Sequence, residues 1–349
     1  MRIAIVNDLM MAVEAMRRVL ASSLEHQLAW VALDGIEAVE RCSRDTPDLI
    51  LMDLIMPNMD GVEATRQIMA KTPCAIVVVT ANVHDNSSKV FEAMGAGALD
   101  AVNTPILTGA NAPEGAAALL RKIETISRLI GAGARKKTVL PSPPSLWHRP
   151  LERDQLVAIG ASAGGPAALA KVLALLSAQF PAAIVVVQHV DAQFAPGLAD
   201  WLTYQTELSV RLANEGDHPK PGTVLLAGTD NHLVFVGPGR LGYVRQPLDC
   251  SYRPSVDVFF RSVSRFWHGD VVGVLLTGMG RDGAEGLKLL RDMGHRTMVQ
   301  NRASSAVYGM PKAAAELNAA SEILPLDRVG PRLAELMVPP ASPTKSSQD

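Results

Sequence analysis

The chain has 349 residues, too many for one ordinary hydrophobic core, which implies two domains. It is 48% hydrophobic and 19% charged, ordinary for a soluble globular protein, and its net charge of -2 argues against nucleic-acid or anionic-membrane partners. No uncharged apolar run nears the roughly 18 residues that span a bilayer. The opening MRIAIVND has no signal-peptide pattern, and the three cysteines (Cys42, Cys74, Cys250) read as reduced thiols, so a cytoplasmic protein is expected.

Residues 1–130 alternate strand and helix patterns. Short β-branched runs fall at Ile3–Val6, Leu28–Ala32, Asp48–Met52, Ala75–Val79 and Leu99–Val102. Helical patterns separate them, among them Ala12–Ser23, Val62–Lys71 and Leu119–Ile130. Five such units predict a flavodoxin-like, five-stranded, doubly wound parallel sheet. Residues 131–150 carry four prolines and a basic cluster with no apolar period, the pattern of a linker. Residues 151–337 alternate again, with strong strands at Leu156–Gly160, Ala183–Gln188 and Val271–Thr277. Between the last two lies a β-rich section, Thr223–Ala227, His232–Val236 and Leu241–Arg245, joined by Gly-rich turns. This predicts a second, three-layer α/β/α Rossmann-like domain. Residues 338–349 read as a disordered polar tail.

Asp8 follows the first strand, Asp53 ends the third and Thr80 ends the fourth. In a doubly wound sheet these ends converge on one edge, where ligands bind. Two carboxylates there suit a hard cation such as Mg²⁺, one of them suits phosphoryl transfer, and Thr80 is placed to bond the new phosphate. Helix N-caps are the competing reading of both aspartates. The stretches IVND, LMDLIMPNMDGVEATR, VVVTAN and GALDAVNTP, over residues 1–105 or so, resemble the receiver domain of bacterial response regulators. The resemblance implies that a CheA-type histidine kinase phosphorylates Asp53 and that Asp8, Asp53 and the carbonyl of Ile55 bind Mg²⁺. Three positions depart from it. Asn7-Asp8 stands where an acidic pair is usual, Thr104-Pro105 where Lys-Pro is usual, and Ala101 where a switch aromatic is expected.

Strand Leu156–Gly160 runs into Gly160-Ala161-Ser162-Ala163-Gly164, a G-x-S-x-G turn that would thrust the serine outward. A phosphate- or dinucleotide-binding loop is the alternative for this turn alone. The run AAIVVVQ, however, ends at His189, and VVGVLLTG leads to Met279-Gly280-Arg281-Asp282. A serine needs a base to take its proton, and an imidazole needs a carboxylate to orient it. The order Ser…His…Asp differs from that of α/β-hydrolases. His232, in TDNHL at a strand start, is the rival base; a structural role is the reading preferred for it.

VAIGASAGGP, VVVQHVDAQF, YRPSVDVFF, LLTGMGRDGAEGL and QNRASSAVYGMP closely resemble the catalytic domain of CheB-type chemotaxis methylesterases. The resemblance implies Ser162 as nucleophile, His189 as general base, Asp282 as its orienter, and the N–H of Met279 as an oxyanion donor, with no cofactor. It implies hydrolysis of glutamate methyl esters on chemoreceptor helices, with methanol released, and in some members deamidation of receptor glutamines. Ala163 departs from the hydroxyl residue common in the family. Arg253-Pro254-Ser255-Val256-Asp257 either shapes the cleft or simply starts a helix. MRIAIVND, KTPCAIVVVT and ALDAVNTP look closer to the Wsp surface-sensing branch than to flagellar members. The receiver is expected to cover the Ser162 cleft until Asp53 is phosphorylated. A binding module with a vestigial site and a general small-ester hydrolase are the competing classes. No feature demands more than a monomer.

Overall fold

The computed structural model describes residues 1–81, 86–106, 112–131, 154–250 and 252–337. The tail at 338–349 lies outside these residues, as do His84, His148 and all of the expected linker but Gly131.

The first half runs β1 (Arg2–Val6), α1 (Met10–Ala21), β2 (Gln27–Ala32), α2 (Gly35–Arg44), β3 (Leu49–Met52), α3 (Gly61–Lys71), β4 (Ala75–Thr80), α4 (Ser87–Ala96), β5 (Asp100–Asn103) and α5 (Ala112–Gly131). Its strands form one parallel sheet in the order β2-β1-β3-β4-β5. Asp34 and Asp60 cap α2 and α3, each accepting the backbone N–H three residues on. Strands β3 and β4 are buried throughout, because helices cover both faces of a parallel sheet.

The second half runs β6 (Gln155–Ala161), α6 (Gly165–Leu173), β7 (Ala183–Gln188), α7 (Ala195–Gln205), β8 (Ser209–Leu212), β9 (Thr223–Leu226), β10 (His232–Gly237), β11 (Arg240–Val244), α8 (Val256–Phe266), β12 (Asp270–Leu275), α9 (Ala284–Asp292), β13 (Arg296–Gln300), α10 (Met310–Glu316), β14 (Glu322–Leu324) and α11 (Leu326–Leu336). Seven strands make a parallel sheet in the order β14-β13-β12-β6-β7-β9-β8. The β-rich section divides: Thr223–Leu226 joins this sheet, whereas β10 and β11 pair only with each other as an antiparallel hairpin.

The apolar cores alternate with the sheets. Ile3 and Ile5 of β1 face a core closed by α1 and α5, while Ala4 and Val6 face the opposite side. That opposite core does not stop at the domain. It runs through Ala38, Ile68, Val90 and Phe91 into Leu169, Leu198 and Val329, and on to Val157 and Ile159 of β6. Leu156 and Ala158, on the other face of β6, meet a third core under α8 and α9. Helix α4 packs directly on α6 and α7. Phe91 tilts against Trp201 at 5.7 Å between ring centroids. A Cβ at Gly95 would lie 2.7 Å from the Cβ of Ala167, so these helices approach as closely as glycine permits.

Gly95→Leu drives a side chain into that contact, which tight interiors do not absorb. The expected outcome is a stability loss of about 1–3 kcal/mol, read as a lower calorimetric midpoint, with Gly95→Ala losing less.

Candidate active site

Three neighbouring central strands, β12, β6 and β7, deliver one residue each to the same sheet edge. Ser162 follows β6, His189 follows β7, and Asp282 follows β12 through a short loop. Because β6 continues to β7 on one side and meets β12 on the other, the chain switches direction here, and such a point opens a crevice at the strand ends. One pocket is lined by Ser162, His189, Val190, Asp191, Asp230, Tyr252 and Arg253.

The serine sits on a tight turn. Its N–H donates to the Thr277 carbonyl at 3.0 Å, and its carbonyl accepts from Gly165 N at 2.7 Å. Gly164 has φ of 76°, the left-handed region where a side chain is strained, and α6 starts immediately after it. Thr277 donates its hydroxyl to the Ala163 carbonyl at 2.9 Å. Buried Gln188 donates to the carbonyls of both Ser162 (2.9 Å) and His189 (3.0 Å), locking the two backbones together. Met279 stands two residues beyond the Thr277 carbonyl that holds Ser162, and it is half-buried.

The imidazole of His189 donates through Nε2 to Asp282 at 2.8 Å. Its Nδ1 is buried and has no hydrogen-bond partner among the described residues, which leaves that lone pair to receive a proton. Asp282 also accepts from Ser255 Oγ (2.7 Å), Val256 N (2.7 Å) and Asp257 N (3.2 Å). Its side chain keeps 16% of its surface exposed. Desolvation disfavours its charge, but the bonds from His189, Ser255 and Val256 prevail and hold its carboxyl below the usual range. Asp282 thus caps α8 from outside, and Asp257 reciprocates by accepting from Gly286 N, at 2.7 Å, in the first turn of α9.

His232 is not a base in this arrangement. Its Nδ1 accepts from Ser255 N at 3.0 Å, so its Nε2 donates to the Pro247 carbonyl at 2.9 Å. It steadies the loop that carries Ser255. Ser255 is both the N-cap of α8 and a donor to Asp282, so the cleft-shaping and helix-start readings of that segment hold together.

In the first half, Asp53 is buried at the end of β3 and accepts from Leu54 N at 2.7 Å, while Asp8 and Ile55 are exposed. Burial, with the charge of Asp8 adding, pushes the Asp53 carboxyl up to about 6. Asn7 is buried and accepts from Leu9 N at 2.8 Å, so it closes a turn where a second carboxylate is usual. Thr80 is buried and accepts from Asn86 Nδ2 at 3.1 Å.

The two halves meet at the pocket that holds Ser162 and His189. Leu99, Asp100 and Lys122, from β5 and its surroundings and from α5, complete its wall. Lys122 pairs with Asp100 at 2.6 Å and, across the domain boundary, with Asp191 at 3.4 Å. The Lys122 ammonium also lies 6.0 Å from the centre of the Phe194 ring. Ser162 and His189 are 3% and 5% exposed beneath this wall. Sequence reasoning missed Gln188, Tyr252 and Lys122. Apart from the bond of Gln188 to its neighbour His189, their partners are remote in the chain, and no local pattern links them.

A receiver-type acidic site on one parallel sheet, and a buried Ser and His with a half-buried Asp on another, are the arrangement of a receiver-coupled hydrolase. The chain belongs to the CheB methylesterase family: the family model for CheB methylesterase matches residues 157–333, and that for the response regulator receiver domain matches 3–109. It is 59% identical over 336 residues to protein-glutamate methylesterase/protein-glutamine glutaminase 3 of Pseudomonas savastanoi pv. phaseolicola, spanning 96% of this chain and 99% of the relative. It is 56% identical to the similarly named protein 1 of Cupriavidus pinatubonensis, over 96% and 97% of the two chains. The crystal structure of the Thermotoga maritima CheB methylesterase catalytic domain matches with a TM-score of 0.51 at 33% identity, covering 52% of this chain and 98% of that one.

Burial and the charge of Asp282 push Asp257 up to about 7. A carboxyl raised in the folded state binds its proton more tightly there than when unfolded. Its stabilising effect is therefore complete below about pH 4 and is lost as pH rises toward 7. Asp257→Asn keeps an acceptor for Gly286 but cannot titrate, so its denaturant-measured stability should decline less over that window than that of the unsubstituted chain.

Proposed function

We propose that this chain is a protein-glutamate methylesterase and protein-glutamine glutaminase of chemosensory adaptation, held back by its receiver until Asp53 is phosphorylated. The observation that carries the reading is the pocket in which Ser162 and His189 lie under a wall contributed by Leu99, Asp100 and Lys122 of the receiver.

The chemistry follows from the bond pattern. His189, oriented through Nε2 by Asp282, takes the Ser162 proton on Nδ1 as Oγ attacks the ester carbonyl. The N–H of Met279 is the donor assigned to the oxyanion. Collapse expels methoxide, which leaves as methanol with the proton from His189, and an acyl-serine remains. Water, deprotonated by His189, attacks that ester and restores Ser162 and a glutamate carboxylate. With a glutamine substrate, ammonia leaves in the first half-reaction instead. No cofactor enters these steps.

The substrate assigned is a methylated chemoreceptor helix, and the phosphodonor a CheA-type histidine kinase. Asp8, Asp53 and the Ile55 carbonyl are the proposed Mg²⁺ ligands. All are oxygen donors, and a nearby cation would lower the raised Asp53 carboxyl. When bound, the cation neutralises charge on the incoming phosphoryl group. Phosphate on Asp53 would accept the Thr80 hydroxyl proton in a hydrogen bond while Asn86, at the start of the α4 segment that packs on the catalytic domain, donates to the same hydroxyl oxygen. The finer assignment, to the Wsp surface-sensing branch, rests on MRIAIVND, KTPCAIVVVT and ALDAVNTP.

Methanol release from a methylated receptor cytoplasmic fragment tests the reading. Release is expected from the unsubstituted chain and at background from Ser162→Ala. Methanol from simple esters alone would instead favour a general hydrolase, and none at all would leave a binding module. Deleting residues 1–145, or replacing Lys122 by Met to break its pair with Asp191, should raise unphosphorylated activity severalfold. No rise in either would remove the inhibitory role of the receiver.

A further inference from the structure

Residues 252 to 257 reach the triad at two points. Ser255, Val256 and Asp257 hold Asp282. Tyr252, three residues earlier, lies flat on His189, with ring centroids 4.0 Å apart and 18° between the planes. We propose that Tyr252 is a positioning residue for the reaction: its ring keeps the His189 imidazole in one orientation and stabilises it once it has taken the serine proton. The inference rests on His189 being the base and goes beyond that reading by assigning what holds it.

Among the described residues His189 makes a single side-chain hydrogen bond, through Nε2, and its Nδ1 has none. One bond fixes a point on the ring but not its plane, and a ring free to turn would not hold Nδ1 in one direction within the pocket it shares with Ser162. The stacked phenol removes that freedom. An aromatic face is also electron-rich, so it favours a cation lying over it. The stack therefore does more for the imidazolium than for the neutral ring, and so lowers the barrier rather than tightening substrate binding. Burial, with Asp100 and Asp282 adding, holds the Tyr252 hydroxyl well above its usual range. It stays protonated at working pH and is not an acid or base in the cycle. The backbone three residues on is anchored, because Ser255 N is held by His232 and His232 by the Pro247 carbonyl.

The charged groups around the imidazole are Asp282 on its edge, Asp257 behind that, and Asp100, Lys122, Asp191, Asp230 and Arg253 in the pocket wall. None changes in the variants that test the idea. In the full-length chain, Tyr252→Leu and Tyr252→Met should lower kcat on a methylated receptor fragment by about tenfold with KM within about twofold. The acid limb of kcat/KM should move to lower pH in both. Tyr252→Phe should restore both properties to near those of the unsubstituted chain. Labelling of Ser162 by a fluorophosphonate should slow in the Leu and Met variants and recover in Phe, a readout independent of the receptor. Equal kcat in all variants would overturn the proposal. So would equal loss in Phe, which would implicate the hydroxyl, or a rise in KM alone, which would make Tyr252 a wall of the substrate pocket. An unsubstituted chain that releases no methanol yet still labels at Ser162 would defeat the methylesterase reading and leave the labelling series to decide the role of Tyr252.

Discussion

The carboxylate of Asp282 receives four donors, from His189, Ser255, Val256 and Asp257, and those donors come from two segments far apart in the chain, the end of β7 and the start of α8. A carboxylate with little access to water would ordinarily take up a proton, and a neutral acid would no longer stabilise an imidazolium. The four bonds keep it charged. They also make the catalytic geometry and the packing of α8 against α9 one problem, since the group that orients His189 also caps α8, and Asp257 returns the same service to α9. Activity and local stability here share their hydrogen bonds, so substitutions around α8 cannot be sorted cleanly into those that harm folding and those that harm chemistry.

The second organising feature is the apolar core that runs unbroken from the receiver sheet to the catalytic sheet. Domains that merely share a linker meet through modest, polar surfaces. Here Phe91, Val90 and Met94 are as buried as any residue inside either half. Polar contact appears where the interface opens at the catalytic pocket: Lys122 with Asp191, and Asn103 with Gln193 at 3.4 Å. The centre of the interface supplies adhesion, and its charged edge lies beside Ser162.

Much of this was legible in the sequence because it is local. Each central strand announces itself as a β-branched run, and Ser162, His189 and Asp282 each stand just past one, so a parallel sheet brings them to one edge without further information. What stayed hidden depends on pairing across the fold. The hairpin His232–Val244 has the same composition as strands of the main sheet, and only its antiparallel register with itself separates it. Ser255 reads as an N-cap from its neighbours, and it is one; its bond to a carboxylate 27 positions on follows from how α8 is docked. Lys122 resembles any solvated lysine on an amphipathic helix until the partner domain supplies a second carboxylate. Gln188 is an ordinary polar strand end until the backbones of Ser162 and His189 are seen to hang from its amide.

The apolar seam between the halves has a thermal consequence. Contacts driven by removing hydrocarbon from water weaken on cooling, whereas charge pairs do not share that dependence. A joint whose middle is Phe91, Trp201 and tightly apposed helices therefore loosens as temperature falls. If that joint is the brake on Ser162, the unstimulated enzyme leaks relatively more in the cold, and the ratio between its stimulated and unstimulated rates is set partly by climate as well as by the kinase.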